Sequence, residues 1–157
     1  MQALVKELSD KLRAKKWMLV TAESCTGGMI AAEITDLAGS SAVFDRGFVT
    51  YSNDAKIDLL GVDKKTLKEH GAVSSQVAEE MAQGALKNSK AQLTVSVTGI
   101  AGPDGGSEEK PVGLVYLGIA TKGNCTSHHR QCEGSRAEIR QQTVEEALKL
   151  LIDALED

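Results

Sequence analysis

The chain has 157 residues, 41% of them hydrophobic and 25% charged, enough for one domain with a proper core and too few for two of ordinary size. A formal net charge of −4 and an aromatic content of 3% exclude the basic field and the stacking rings that nucleic-acid binding needs. No apolar run approaches the ~20 residues that cross a bilayer, and the three cysteines give no disulfide framework.

At the N-terminus, Lys6, Asp10, Lys11 and Arg13 interrupt any secretory-type apolar segment, so a soluble cytoplasmic protein with reduced thiols is expected. Leu4, Val5, Leu8 and Leu12 recur at helical spacing. A buried strand is predicted over 17–21 and a helix over 29–38, with Ile30, Ile34 and Leu37 on one side. A second strand over 43–51 holds Phe44, Phe48, Val49 and Tyr51, with Gly47 as a bulge or close-approach point. Ser52-Asn53 can cap a helix that ends at Gly61, and 66–70 before Gly71 reads as a short helical turn. Ser74 or Ser75 caps a longer helix through Val77, Met81, Ala85 and Leu86, followed by a β-branched strand over 93–98. Residues 99–113, GIAGPDGGSEEKPVG, form one long irregular segment, and such loops are usually functional. Strands over 114–121 and 125–132 make a hairpin around Lys122-Gly123-Asn124, and Ser135 caps a last helix with Ile139, Leu148, Leu151 and Leu155. The pattern predicts a three-layer α/β/α fold with a mixed central sheet that includes a C-terminal antiparallel hairpin, in a single domain over 1–157.

Between the first strand and its helix stands Ala22-Glu23-Ser24-Cys25-Thr26-Gly27-Gly28. Unpaired N–H groups and the helix dipole at such a junction favour an anion, whether a phosphate or the oxyanion of an acyl transfer. The spacing fits neither a P-loop nor a dinucleotide fingerprint, and Ser24 and Thr26 are equally ordinary as helix caps. Residue types alone leave both readings open. The run Cys125-Thr-Ser-His128-His129-Arg-Gln-Cys132 holds four zinc-type ligands, but strand alternation places Cys125 with His129 and His128 with Cys132 on opposite faces, so no metal site is expected. Lys56 reads as a solvated helix lysine or a functional base. Arg136 and Arg140, one turn apart, read either as an anion clamp or as partners of Glu133 and Glu138.

The segments TAESCTGG, AGSSAVFDRGFVTYSNDAK, HGAVSS, SVTGIAGPDGG and EEKPVG, in this order, resemble the CinA C-terminal family, and within it the stand-alone amidohydrolases that act on nicotinamide nucleotides. The resemblance covers nearly the whole chain. Longer family members carry a further N-terminal domain similar to molybdopterin-binding proteins, which is not expected here. What the resemblance implies is hydrolysis of the carboxamide of nicotinamide mononucleotide in pyridine-nucleotide salvage, with no cofactor and no metal, by a homodimer or larger homo-oligomer. It maps a serine and lysine pair onto Ser24 and Lys56, with Tyr51 to bridge or orient them. Cys25 remains a rival nucleophile, since a thiol at a helix N-terminus ionises more easily. Substrate would meet Cys25, Thr26, Gly27 and Gly28, with Thr98, Gly99 and Gly102 closing over ribose and phosphate. Arg136 or Arg140, more weakly Arg46, would contact the phosphate. The competing class is a non-catalytic nucleotide-sensing or adaptor module that only holds an anion at the same helix start.

Overall fold

The computed structural model describes residues 1–156; residue 157, part of the expected domain, lies outside the described residues. The elements run α1 (Gln2–Lys15), β1 (Leu19–Glu23), α2 (Met29–Thr35), a 3-10 turn at Ser40–Ala42, β2 (Phe44–Val49), α3 (Asn53–Leu60), α4 (Lys64–His70), α5 (Ser75–Lys87), β3 (Leu93–Gly99), β4 (Leu114–Thr121), β5 (Asn124–Gln131) and α6 (Arg136–Ala154).

The five strands form one sheet in the order β2-β1-β3-β4-β5, with β1 parallel to both β2 and β3 and the β3-β4-β5 portion antiparallel. Alternation along β1 decides the layers. Leu19 joins Leu8, Leu12, Ile30, Ile34, Leu148 and Leu151 beneath α1, α2 and α6. Val20 and Ala22 point the other way and pack with Leu60, Val77, Met81 and Ala85 of α3 and α5. The sheet is therefore covered on both faces, the expected three-layer arrangement, and each fully buried leucine or isoleucine contributes about 1.5–3 kcal/mol. Because the chain leaves β1 for β2 by α2 on one face and returns to β3 by α3, α4 and α5 on the other, the C-terminal end of β1 is a point where the connections diverge. In open α/β sheets ligands bind in that crevice.

Several boundaries differ from expectation for local reasons. Strand β1 starts at Leu19 rather than Trp17, because Met18 N–H is taken by Gln92 Oε1 at 2.8 Å and Met18 O accepts from the Gln92 and Leu93 amides. Helix α2 stops at Thr35, whose hydroxyl turns back onto the Ala31 and Ala32 carbonyls. Strand β2 is shorter than 43–51, and the register irregularity beside it falls at Asp45, not Gly47. Gly47 is a close-approach point, where a Cβ would lie 2.8 Å from Thr21 Oγ1. Helix α4 begins at Lys64, two residues early, capped by Asp63 Oδ1. The hairpin turn is shorter than expected, since Thr121 already faces Asn124 across β4 and β5. The Ser40–Ala42 turn was not expected at all.

Candidate active site

Five residues, Ser24–Gly28, separate β1 from α2. Ser24 N–H donates to Val97 O at 3.1 Å, which ties the turn to the end of β3. Gly27 and Gly28 then take φ of 57° and 102°, left-handed backbone that side chains with a Cβ rarely adopt. Glu23, 1% exposed, reaches across this turn. Its Oε1 accepts from Thr26 Oγ1 at 2.6 Å and Ile30 N–H at 2.9 Å, and its Oε2 from Ala31 N–H at 3.1 Å. The start of α2, expected to receive a substrate anion, thus already holds the chain's own carboxylate. Arg140 grips the other side, its Nε and Nη2 donating to Cys25 O at 3.0 Å and Thr26 O at 3.2 Å. Among the described residues no oxygen accepts from the N–H groups of Cys25, Thr26 or Gly28.

Helix α3 supplies the second group. Ser52 Oγ caps it by accepting from Ala55 N–H at 3.0 Å, and Gly61 ends it with φ of 68°. That register turns Lys56 inward with Leu60, and Lys56 is 1% exposed. Its Nζ lies 3.0 Å from Ser24 Oγ, 2.9 Å from Thr50 O and 3.3 Å from Tyr51 O. Loss of hydration pulls its pKa below the usual lysine value, with the nearby Cys25 opposing the shift. As a neutral amine it has two N–H donors for the two carbonyls and one lone pair, and the remaining neighbour for that lone pair is the serine hydroxyl. Burial also pushes the Cys25 thiol up to about 11, so at neutral pH it stays protonated.

A cleft of about 230 Å³ opens on this pair, lined among others by Ser24, Tyr51, Asn53, Lys56, Thr98 and Arg136. Tyr51 meets the pair through its main-chain carbonyl, 3.5 Å from Ser24 Oγ, and not through its ring. The ring is exposed, and its hydroxyl accepts from Arg136 Nη2 at 3.2 Å. Thr98 Oγ1 donates to Ala72 O at 2.9 Å. Gly99 sits against Val115, where a Cβ would come within 2.4 Å of Cγ1, and Gly102 O accepts from Arg136 Nη1 at 2.7 Å.

Arg136 and Arg140 form neither a clamp nor pairs with Glu133 and Glu138. Arg136 lines the cleft and holds the Gly102 loop, whereas Arg140 holds the back of the Ser24 turn. Glu138 instead completes a capping box with Ser135. Arg46 is engaged by Asp45 and by Asn88 O and does not line the cleft. A glutamate ending a strand carries no local sign that it will cap the next helix, as Glu23 does, and the cap at Ser52-Asn53 carries no sign that Asn53 lines the cleft. The His129 and Tyr116 rings lie 5.8 Å apart and tilted by 41°, and the His128 ring meets Thr126 Oγ1 at 3.2 Å. Among the described residues no group of three or more His, Cys, Asp or Glu side chains is arranged to hold a metal, and no helix is long and apolar enough to cross a membrane.

Residues 1–155 match the CinA C-terminal domain. The nicotinamide-nucleotide amidohydrolase PncC of Enterobacter agglomerans is 58% identical over 137 residues, covering 87% of this chain and 84% of that protein. The CinA-like protein of Syntrophobacter fumaroxidans is 46% identical over 156 residues, covering 99% of this chain and 37% of that one. The chain thus spans little more than a third of the length of its longer relatives (36% and 37%). Among solved structures, the competence/damage inducible protein CihA from Agrobacterium tumefaciens superposes with a TM-score of 0.95 at 53% identity, covering 99% of this chain and 95% of that one.

Proposed function

The chain belongs to the CinA C-terminal domain family, and from that premise we propose that it is an amidohydrolase converting nicotinamide mononucleotide to nicotinate mononucleotide and ammonia in pyridine-nucleotide salvage. Ser24 is the nucleophile and Lys56 the base. The observation that carries this reading is the buried contact of 3.0 Å between Lys56 Nζ and Ser24 Oγ, beside Thr50 O and Tyr51 O; when the amine is neutral, those carbonyls take its two hydrogens and its lone pair faces the hydroxyl.

In the forward step Ser24 Oγ attacks the carboxamide carbon while its proton passes to Lys56 Nζ. The oxyanion takes N–H donors from the turn after Ser24, where Cys25 and Thr26 amides have no oxygen partner among the described residues. Collapse expels ammonia, which leaves with the proton from Lys56, and a nicotinoyl ester of Ser24 remains. Water then attacks the ester, Lys56 takes its proton and returns it to Ser24, and the acid departs. Arg136, at the cleft mouth with N–H groups beyond those given to Gly102 and Tyr51, binds the phosphate. Arg140 is a brace for the turn. The reaction uses no metal, the protein works in the cytoplasm, and it assembles as a homo-oligomer.

Against the rival reading, a module that merely holds a nucleotide anion at the start of α2, stands Glu23, whose carboxylate already accepts from the Ile30 and Ala31 amides there. The protein incubated with nicotinamide mononucleotide in the presence of a chelator should release ammonia and nicotinate mononucleotide in equal amounts. No ammonia at high protein concentration would favour the sensing module, and strict metal dependence would overturn the serine mechanism.

A further inference from the structure

We propose that Glu23 is a positioning residue for the nucleophile: by joining Thr26 Oγ1 to the first-turn amides of α2, it fixes the turn that aims Ser24 Oγ at Lys56. The inference rests on the serine and lysine reading above, and it assigns a task to a buried carboxylate which that chemistry does not itself use.

Three observations carry it. Glu23 is 1% exposed and Thr26 is fully buried, yet among the described residues Glu23 has no ion-pair partner, so its burial is compensated by the three donors alone. Those donors lie at residues 26, 30 and 31, so one carboxylate spans Ser24 from the strand before it to the helix after it. With Ser24 N–H fixed to Val97 O and Arg140 holding the Cys25 and Thr26 carbonyls, the backbone of the turn is restrained from three directions. Of the three, Glu23 is the restraint that joins β1 directly to α2. The geometry it protects is short-ranged. Attack requires Oγ and Nζ to keep a separation near 3 Å, and a displacement of about 1 Å costs on the order of 100-fold in rate.

The test is the rate at which a fluorophosphonate probe labels Ser24, read by intact mass and peptide mapping. Here Ser24 Oγ displaces fluoride from phosphorus and its proton passes to Lys56, so the nucleotide is not needed. Glu23→Asp keeps the charge but shortens the arm by about 1.5 Å, and Thr26→Val removes one donor at constant shape, while Thr26→Ser keeps it. Labelling is expected to slow about 10- to 100-fold in Glu23→Asp and about 10-fold in Thr26→Val, and Thr26→Ser, which restores the donor, is expected to label several times faster than Thr26→Val. In turnover, the loss should fall on kcat with KM within twofold, and the pH at which activity rises should not move. Labelling within twofold of wild type in both Glu23→Asp and Thr26→Val, or a wild type whose Ser24 is not labelled, overturns the inference. If Glu23→Asp does not fold, the Thr26→Val and Thr26→Ser pair decides alone. Labelling that depends on Thr26 in a protein releasing no ammonia from nicotinamide mononucleotide would refute the substrate reading and leave this inference standing.

Discussion

Replacing Lys56 with methionine separates chemistry from stability, because the two consequences have different sizes. Methionine fills nearly the same volume but has no proton acceptor. Losing a general base costs about 100- to 10,000-fold, or roughly 3–5 kcal/mol of barrier at about 1.4 kcal/mol per tenfold. In the fold, Thr50 O and Tyr51 O lose donors at 2.9 and 3.3 Å, worth about 1 kcal/mol each. Removing an amine whose burial is itself unfavourable offsets part of that. Stability should therefore change by no more than about 2 kcal/mol, a few degrees in Tm for a chain of this size. Lys56→Arg should be as inactive, since a guanidinium stays charged and has no acceptor. The sign of the pH dependence follows from the same group. Burial lowers the pKa of Lys56, so the neutral, active form appears at lower pH than for a free lysine. The wild-type kcat/KM should climb with pH through that pKa and level off below about 10.4, the value for an unperturbed lysine. Ammonia release followed across pH, alongside thermal melting, checks both. Lys56→Met retaining a tenth or more of wild-type activity with an unchanged pH profile would refute the assignment.

Cys25→Ala should keep activity within about threefold, because a thiol held near 11 is not a thiolate at neutral pH; loss of turnover there, with the fold intact by circular dichroism, would count against Ser24. Arg136→Ala should raise KM about tenfold while leaving kcat within twofold, consistent with an exposed charge-assisted contact of about 1.4 kcal/mol, as measured by initial rates over a range of nucleotide concentrations. Gly84→Ala should lower stability by about 3 kcal/mol or more, since a Cβ there would lie 1.8 Å from Leu60 O. It should also slow turnover, because the helix it displaces carries Lys56; a normal Tm and normal rate would show that the contact of α5 with α3 is dispensable.

What could be read in the sequence was local. Ser52, Ser74, Ser135 and Gly61 cap their helices as expected, because capping depends on residues three or four positions apart. The layered sheet followed from alternation and helical spacing. The partners of Arg136 and Arg140 could not be read this way. They lie at Gly102 and Tyr51 for one, and at Cys25 and Thr26 for the other, from 34 to 115 positions away, and only the packing of α6 against α1, α2 and β3 brings them together. Glu23 is the sharper case. Residue types at the start of α2 left an anion site and a plain helix cap equally open, and nothing local revealed that the preceding strand's last side chain would take the first-turn amides. Likewise Tyr51 was placed beside the pair by resemblance alone, and only the structure shows that its carbonyl meets Lys56 while its ring lies outside.

Hydroxylamine partitioning reports whether an ester forms on Ser24. Wild-type protein turning over nicotinamide mononucleotide with added hydroxylamine should divert the acyl group to the hydroxamate at the expense of the acid, with ammonia release maintained. Ser24→Ala should form neither product, while Cys25→Ala should form both in wild-type proportion. Hydroxamate and acid formed by Ser24→Ala at the wild-type rate would show that Ser24 is not the nucleophile.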